Sequence, residues 1–143
     1  MEIRIMTIAD YEQVYQLWSD TKGMGMRSLD DSKLGIEKFL KRNPNTNFVA
    51  VKNGKIIGVT LSGHDGRRGC IYHTAVKIEF RGQGIGKALI AAVCNAMKNE
   101  GINKLFLVAF KSNEKGNAFW QSQNWELRTD INYYNKNLNT ENK

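Results

Sequence analysis

The sequence contains very little proline and cysteine. Its 143 residues include one proline, Pro44, and two cysteines, Cys70 and Cys94. The cysteines lack CxxC spacing and have no histidine cluster nearby, so the pattern excludes the usual zinc sites and a disulfide scaffold. We interpret both as free thiols that pack as small buried side chains, and we expect no metal.

Long hydrophobic runs are also missing. No apolar stretch approaches the ~20 residues of a membrane-spanning helix, and the N-terminal segment Met1–Ile5 lacks the apolar core of a signal peptide. We therefore expect a cytoplasmic protein without a membrane partner. No repeat, linker or low-complexity tract divides the chain, so residues 1–143 are expected to form a single domain, with a polar tail that frays from about residue 138.

The chain is basic, with a net charge of +7 and a pI near 9.5. Such a protein can attract nucleic acid, acidic proteins or a polyphosphate cofactor. Its lysines and arginines are scattered in runs of at most two, whereas a nucleic-acid-binding module needs them clustered beside exposed aromatic rings. We expect no nucleic-acid partner, and a basic nucleic-acid-binding module is kept only as an alternative hypothesis.

The hydrophobic pattern predicts an α/β fold that begins with antiparallel strands and continues with a βαβ crossover. Asn53-Gly54 is a two-residue hairpin signal, and Asn43-Pro44-Asn45 should end the second helix. The predicted strands are Glu2–Met6, Phe48–Lys52, Lys55–Ser62, Cys70–Lys77 and Lys104–Phe110, with one or two more within Trp125–Asn137. The predicted helices begin near Thr7, Asp30, Gly84 and Asn117. Lys104–Phe110 is so apolar that we expect burial on both faces.

Three glycines alternate at positions 82, 84 and 86, between an apolar strand and an amphipathic helix. Glycine lets backbone amides approach a ligand, and a helix N-terminus carries positive potential. Arg81 and Lys87 add positive charge on either side. The segment fits neither a P-loop, because Ala88 follows Lys87, nor a dinucleotide-binding fingerprint, because the third glycine comes one position early. We predict a phosphate cradle over residues 81–87.

Two segments carry a family resemblance. Arg81, Gly84 and Gly86 match the Arg/Gln-x-x-Gly-x-Gly/Ala motif of the GNAT superfamily. The run Asn113-Glu114-Lys115-Gly116-Asn117-Ala118-Phe119-Trp120, ending at Gln123-Asn124-Trp125, resembles the family's later block. The spacing of the two blocks and the order of predicted elements also match, from Ile3 to about Leu138. The chain is identified as resembling a bacterial-type, single-domain GNAT N-acetyltransferase.

The resemblance implies a GNAT fold, with a mixed sheet of 6–7 strands and about four helices. Acetyl-CoA, as co-substrate, should lie in a split between the strands 70–77 and 104–110. Its acetyl group should pass directly to a primary amine, with the Val76 amide as donor to the thioester oxygen. The cofactor contacts implied are Ala75, Val76, Arg81, Gly82, Gln83, Gly84, Ile85, Gly86, Lys87, Asn113, Phe119 and Trp120.

Trp120 departs from the family, which often has a tyrosine there as the acid for the leaving thiolate. Because an indole donates a hydrogen bond but releases no proton usefully, that role is not carried over. Either CoA leaves as a thiolate, or Tyr72, Tyr133 or Tyr134 replaces the missing tyrosine.

The base that deprotonates the amine is a second open question. His73 lies three residues before Val76 and titrates near neutral pH, which makes it a candidate; a packed strand histidine is the alternative. Strand alternation directs His73 and Val76 to opposite faces unless a bulge intervenes, for example at Thr74-Ala75. His64 and Asp65 can simply cap a turn, and Glu79 fits a structural role or a water relay.

The loop between the first two helices should grip the acceptor in a GNAT protein. Here it offers Met24, Met26 and Arg27, and Arg27 either pairs with a substrate carboxylate or is solvated. We expect a small-molecule or peptide amine as substrate and a monomer or homodimer as the assembly. A GNAT-fold protein that binds acyl-CoA without catalysis is the main alternative.

Overall fold

Five strands form one mixed sheet in the order in which they occur along the chain. The computed structural model describes residues 1–143. The strands are β1 (Glu2–Ile5), β2 (Phe48–Lys52), β3 (Lys55–His64), β4 (Gly69–Val76) and β5 (Leu105–Leu107). All neighbours are antiparallel except β4 and β5, which are parallel. The α/β class and the early antiparallel meander are therefore confirmed.

Four α-helices cover the sheet: α1 (Tyr11–Ser19), α2 (Lys33–Arg42), α3 (Ile85–Asn99) and α4 (Glu114–Ser122). Short 3-10 turns at Ile8–Asp10 and Ile78–Phe80 precede α1 and the glycine segment. The helix α2 begins later than the predicted Asp30 because the Ser32 hydroxyl accepts a hydrogen bond from the Gly35 amide at 3.0 Å and caps it. None of the helices is both long and apolar enough to cross a membrane.

The hairpin between β2 and β3 turns at Asn53 and Gly54, as predicted. Their φ angles of 51° and 74° both lie in the left-handed region. A two-residue turn with both central residues there matches the right-handed twist of the flanking strands.

The sheet packs on both faces. Val59, Leu61 and Ala75 face α1 and α2, where Trp18 is fully buried. Ile57 and Ile71 lie on the opposite face, against α3. Successive residues of β4 therefore alternate between the α1–α2 side and the α3 side.

The prediction of 6–7 strands is wrong, because the sheet has five. Residues 125–143 form neither helix nor strand, and Leu127, Ile131 and Tyr134 are exposed. A strand needs a partner of similar length, and β5 offers only three residues. The segment is also rich in asparagine, which is depleted in strands.

The predicted burial of Lys104–Phe110 on both faces is also wrong. Phe106, Val108 and Phe110 are 50%, 58% and 58% exposed. The strand β5 is an edge strand, and the chain leaves β4 after Leu107, so this side of the segment has no covering layer.

The last residues of the chain contact the loop between α1 and α2. The Asn142 side-chain oxygen accepts the amides of Leu29 and Asp30 at 3.0 and 3.1 Å, and the Lys143 carbonyl accepts the Ser28 amide at 2.7 Å. The tail that we expected to fray from about residue 138 has no helix or strand but makes these hydrogen bonds.

Candidate active site

The strands β4 and β5 separate at one end of the sheet. Gly69–Ile71 pair with Leu105–Leu107, and β4 then continues to Val76 without a partner on that side. On the other side, Val76 pairs with Gly58 of β3, and the Lys77 amide donates a hydrogen bond to the Ile57 carbonyl at 2.8 Å. This pattern identifies Gly58 and Val76 as a non-hydrogen-bonded pair. The Val76 amide and carbonyl are therefore directed away from β3, into the opening.

Neighbouring backbone groups divide between the two sides of β4. Thr74, like Val76, directs its amide into the opening, whereas Ala75 pairs with Val59 of β3. Of Ala75 and Val76, both expected to contact the cofactor, only Val76 presents its backbone amide and carbonyl there. The Arg81 Nε atom donates to the Val76 carbonyl at 2.9 Å, which ties the glycine segment to this strand end.

The glycine segment, residues 82–87, lies beside this strand end, and its first three residues are open to solvent. Gly82 and Gly84 have φ angles of 76° and 81°, and a Cβ on either would meet no atom within 4 Å. The Ala88 amide is the first to bond within α3, to the Gly84 carbonyl, so the amides of residues 85–87 lack helical partners. Free amides, the helix dipole and two exposed cations, Arg81 and Lys87, fit a phosphate group.

Gly86 has a different role from the other two glycines. A Cβ there would approach the Phe119 ring to 3.0 Å. Gly86, the last of the three alternating glycines, therefore lets α4 pack against the start of α3.

The second motif block forms the start of α4. The Asn113 side chain accepts the Gly116 amide at 3.0 Å and caps the helix. Trp120 packs between Phe119 and Trp125, with ring centroids 5.0 and 5.2 Å apart. These contacts agree with a packing role for Trp120.

His73 forms a buried pair with Asp31. The His73 Nε2 atom lies 2.8 Å from Asp31 Oδ1, and the side chains are 11% and 6% exposed. The Trp18 ring packs edge-on against the imidazole at 4.9 Å. Asp31 was not predicted from the sequence, because the two residues are 42 positions apart and no motif links them.

The strand β4 does bulge near His73, but not at Thr74-Ala75. Leu61 pairs with His73 and Ser62 with Ile71, so Tyr72 is the extra residue. Because the bulge precedes His73, normal alternation holds from there to Val76. The His73 side chain faces α1 and α2, and the Val76 side chain faces α3. The Val76 amide lies in the plane of the sheet, between the two faces.

The loop between α1 and α2 lies against the far side of the opening. A Cβ on Gly25 would contact the Phe110 ring at 3.3 Å, and one on Gly23 would be 2.9 Å from Asn113 Nδ2. Met24 and Met26 are half-buried and pack against the α1–α2 core, whereas Arg27 is exposed. Of the three residues predicted to contact the acceptor, only Arg27 is exposed to solvent.

The remaining titratable candidates lie in less suitable places. Burial raises the pKa of the Cys70 thiol to about 11, so this thiol is protonated at neutral pH and is no nucleophile. Burial also raises the pKa of the half-exposed Tyr72 to about 12. Tyr133 and Tyr134 are exposed, and Glu79 is exposed in a short turn.

His64 and Asp65 stabilise the turn between β3 and β4. His64 Nε2 contacts Glu100 at 2.8 Å, and Asp65 accepts the amides of Arg67 and Arg68, both at 2.8 Å. Those amides hold the pKa of Asp65 below its usual range. No group of three or more histidine, cysteine or acidic side chains could hold a metal ion.

Sequence comparison decides the family. Residues 11–125 match the model of the acetyltransferase (GNAT) family. The chain belongs to the GNAT family. An acetyltransferase of Pectobacterium atrosepticum is 33% identical over 126 residues, which cover 88% of each chain. An acetyltransferase of Yersinia enterocolitica is 30% identical over 92% of each chain. Such relatives identify an acetyl-CoA-dependent N-acetyltransferase.

Solved GNAT structures share the fold. The PaiA N-acetyltransferase of Thermoplasma acidophilum, in complex with coenzyme A, superimposes with a TM-score of 0.75 at 20% identity, over 85% of this chain and 87% of that one. An aminoglycoside acetyltransferase from an uncultured soil metagenomic sample, in complex with sisomicin, gives a TM-score of 0.71 at 24% identity, over 95% and 96%.

Proposed function

We propose that this GNAT enzyme acetylates a primary amine of a small molecule or peptide, with Val76 as oxyanion donor and His73 as base. The observation that carries the proposal is the unpaired Val76 amide. It points into the opening between β4 and β5, with the glycine segment on one side and the His73–Asp31 pair on the other. A donor, an anion cradle and a titratable nitrogen at one strand end are the parts that acyl transfer to an amine needs.

Acetyl-CoA supplies the thioester that the amine attacks. The amides of residues 85–87, with Arg81 and Lys87, would hold its phosphates. The Val76 amide would donate a hydrogen bond to the carbonyl oxygen as negative charge develops there. Removing one such donor typically costs about 10²–10³ in rate. The Arg81 side chain, now bonded to the Val76 carbonyl, can turn toward phosphate when the opening is filled.

His73 would accept the proton of the attacking amine. It lies on the α1–α2 face, from which an acceptor held by the loop around Arg27 would approach. A positioned base contributes roughly 10²–10⁴ in rate. The Asp31 contact with Nε2 leaves Nδ1 as the nitrogen for this role.

No strong acid stands ready for the leaving thiolate. Trp120 packs among aromatic rings, and Tyr72 has a pKa of about 12. A phenol this weakly acidic can donate a hydrogen bond but transfers its proton poorly. We therefore propose that CoA leaves as a thiolate.

A small-molecule acceptor is supported by the sisomicin complex of the similarly folded aminoglycoside enzyme. The test is a panel of aminoglycosides, polyamines, amino acids and short peptides, followed by release of free thiol from acetyl-CoA. Turnover of at least one amine is expected. CoA binding without turnover of any amine would favour a non-catalytic acyl-CoA-binding protein instead.

A further inference from the structure

We infer that Asp31 is the positioning residue of this active site. It fixes the His73 ring with its proton on Nε2 and anchors the acceptor loop, that is, residues 20–32 between α1 and α2. This assignment rests on the proposed function, since it concerns the nitrogen that would accept the amine proton.

Both carboxylate oxygens of Asp31 are engaged by different parts of the fold. Oδ1 contacts His73 Nε2 on β4 at 2.8 Å, and Oδ2 accepts the Arg27 amide of the acceptor loop at 2.6 Å. The Asp31 carbonyl accepts the Tyr11 hydroxyl of α1 at 2.7 Å. Asp31 itself is 5% exposed. The Asp31 carboxylate thus joins the strand to the loop, and the backbone carbonyl of the same residue joins them to the first helix.

The contact with Asp31 determines the tautomer of a neutral His73 ring. An ionised carboxylate only accepts hydrogen bonds, so the nitrogen that faces it must carry the proton. Nδ1 is then the nitrogen with a free lone pair. Nδ1 has no hydrogen-bond partner in the chain, and the only fully buried side-chain polar atom without one is Trp18 Nε1. Nδ1 is therefore not completely buried, and we assign to it the contact with the acceptor amine.

The same carboxylate couples the base to the acceptor loop. The Arg27 amide donates a hydrogen bond to Asp31. The preceding residue, Met26, is half-buried and packs against the core. Displacing the loop from Asp31 would also release one constraint on the imidazole.

The variant Asp31→Asn tests this positioning role. Its side-chain amide has only one acceptor oxygen, whereas two groups, His73 Nε2 and the Arg27 amide, now donate to Asp31. If that oxygen keeps the Arg27 amide, the Asn nitrogen donates to His73 Nε2 and forces the ring proton onto Nδ1. We expect 15N NMR of His73 to show the proton on Nε2 in the unaltered protein and on Nδ1 in Asp31→Asn. We expect kcat to fall by about 10- to 100-fold with little change in KM, as for loss of part of a base contribution. Asp30→Asn, the same change at the exposed neighbour, is the matched control and should keep the tautomer.

A double-mutant cycle separates positioning from a purely structural role. If Asp31 acts through His73, Asp31→Asn should lower kcat by less than about threefold in a His73→Gln background. An equal loss in both backgrounds would overturn the assignment. So would an Nδ1 proton on His73 in the unaltered protein, a result that needs no substituted chain. The NMR measurement is also independent of turnover, so failure of every amine in the panel would reject the proposed function without deciding this one.

Discussion

The two sides of β4 differ in the groups that they present to a ligand, which are backbone amides on one side and side chains on the other. On the α3 side, the glycine segment offers backbone amides, and two of its glycines have left-handed φ angles. On the α1–α2 side, the site consists of side chains brought from separate elements, with Asp31, His73 and Trp18 in contact. A cradle made of backbone amides would tolerate changes of most neighbouring side chains, whereas a site made of side chains changes with each substitution. Under the proposed function, this difference would allow the fold to keep one cofactor while the amine that it accepts varies.

The largest expected effect is on the cofactor side. Gly84→Glu would place a negative charge where we propose that phosphate binds. It would also place a side chain at a φ of 81°, which costs about 1–2 kcal/mol. We expect the affinity for CoA, measured by calorimetry, to fall by at least about 100-fold, equivalent to about 2.7 kcal/mol.

Gly66→Glu provides the control for backbone strain. Gly66 has a φ of 90° and equally open surroundings, but it lies in the turn between β3 and β4. This variant should bind CoA normally. Unchanged affinity in Gly84→Glu would contradict the location of the phosphate cradle.

The second effect is confined to the acceptor side. His73→Gln should lower kcat/KM by about 100-fold, as expected for loss of a general base, and leave CoA affinity unchanged. An unaltered rate would return His73 to a packing role.

These two sides also differ in how far the sequence predicted them. The glycine segment is contiguous, so the spacing of Gly82, Gly84 and Gly86 was sufficient to predict a turn that leads into α3. That this segment holds phosphate stays a prediction. The Asn53-Gly54 turn was predicted for the same local reason and is confirmed. The His73–Asp31 pair arises only when the loop between α1 and α2 folds against β4, and no local pattern encodes a contact across 42 residues. The missing final strands have a similar origin, since pairing depends on how far β5 extends.

Trp120 should respond weakly to substitution. It packs against Phe119 and Trp125, so Trp120→Tyr keeps an aromatic ring in that cluster and should alter kcat by no more than about threefold. The dependence of the rate on pH should be the same in Trp120→Phe as in the unaltered protein. An alkaline limb that is present in the unaltered protein and lost in Trp120→Phe would show that Trp120 takes part in proton transfer after all.

The smallest effect concerns stability outside the active site. Burial alone would raise the pKa of Asp10, but hydrogen bonds from Arg4 and from the Thr7 amide outweigh it and lower the pKa overall. A lowered folded-state pKa stabilises the protein above the ordinary aspartate pKa of about 4, and the contribution is lost as pH falls through the folded value.

Asp10→Ala should therefore destabilise the fold by about 1 kcal/mol at neutral pH, the typical cost of losing a capping carboxylate. In urea unfolding, this difference should shrink below about pH 4. Asp20→Ala, at an exposed position at the end of α1, is the control. A difference that stayed constant down to pH 2 would rule out the ion pair as its cause.

Amide hydrogen exchange at Val76 tests the central claim most directly, because Val76 joins the two sides of the site. Its amide points into the opening, whereas the neighbouring Ala75 amide is already paired with β3. Addition of acetyl-CoA should slow exchange at Val76 and at residues 85–87 by at least about tenfold, and leave the slow exchange at Ala75 unchanged. Saturation with acetyl-CoA without added protection at Val76 would contradict the placement of the thioester between β4 and β5.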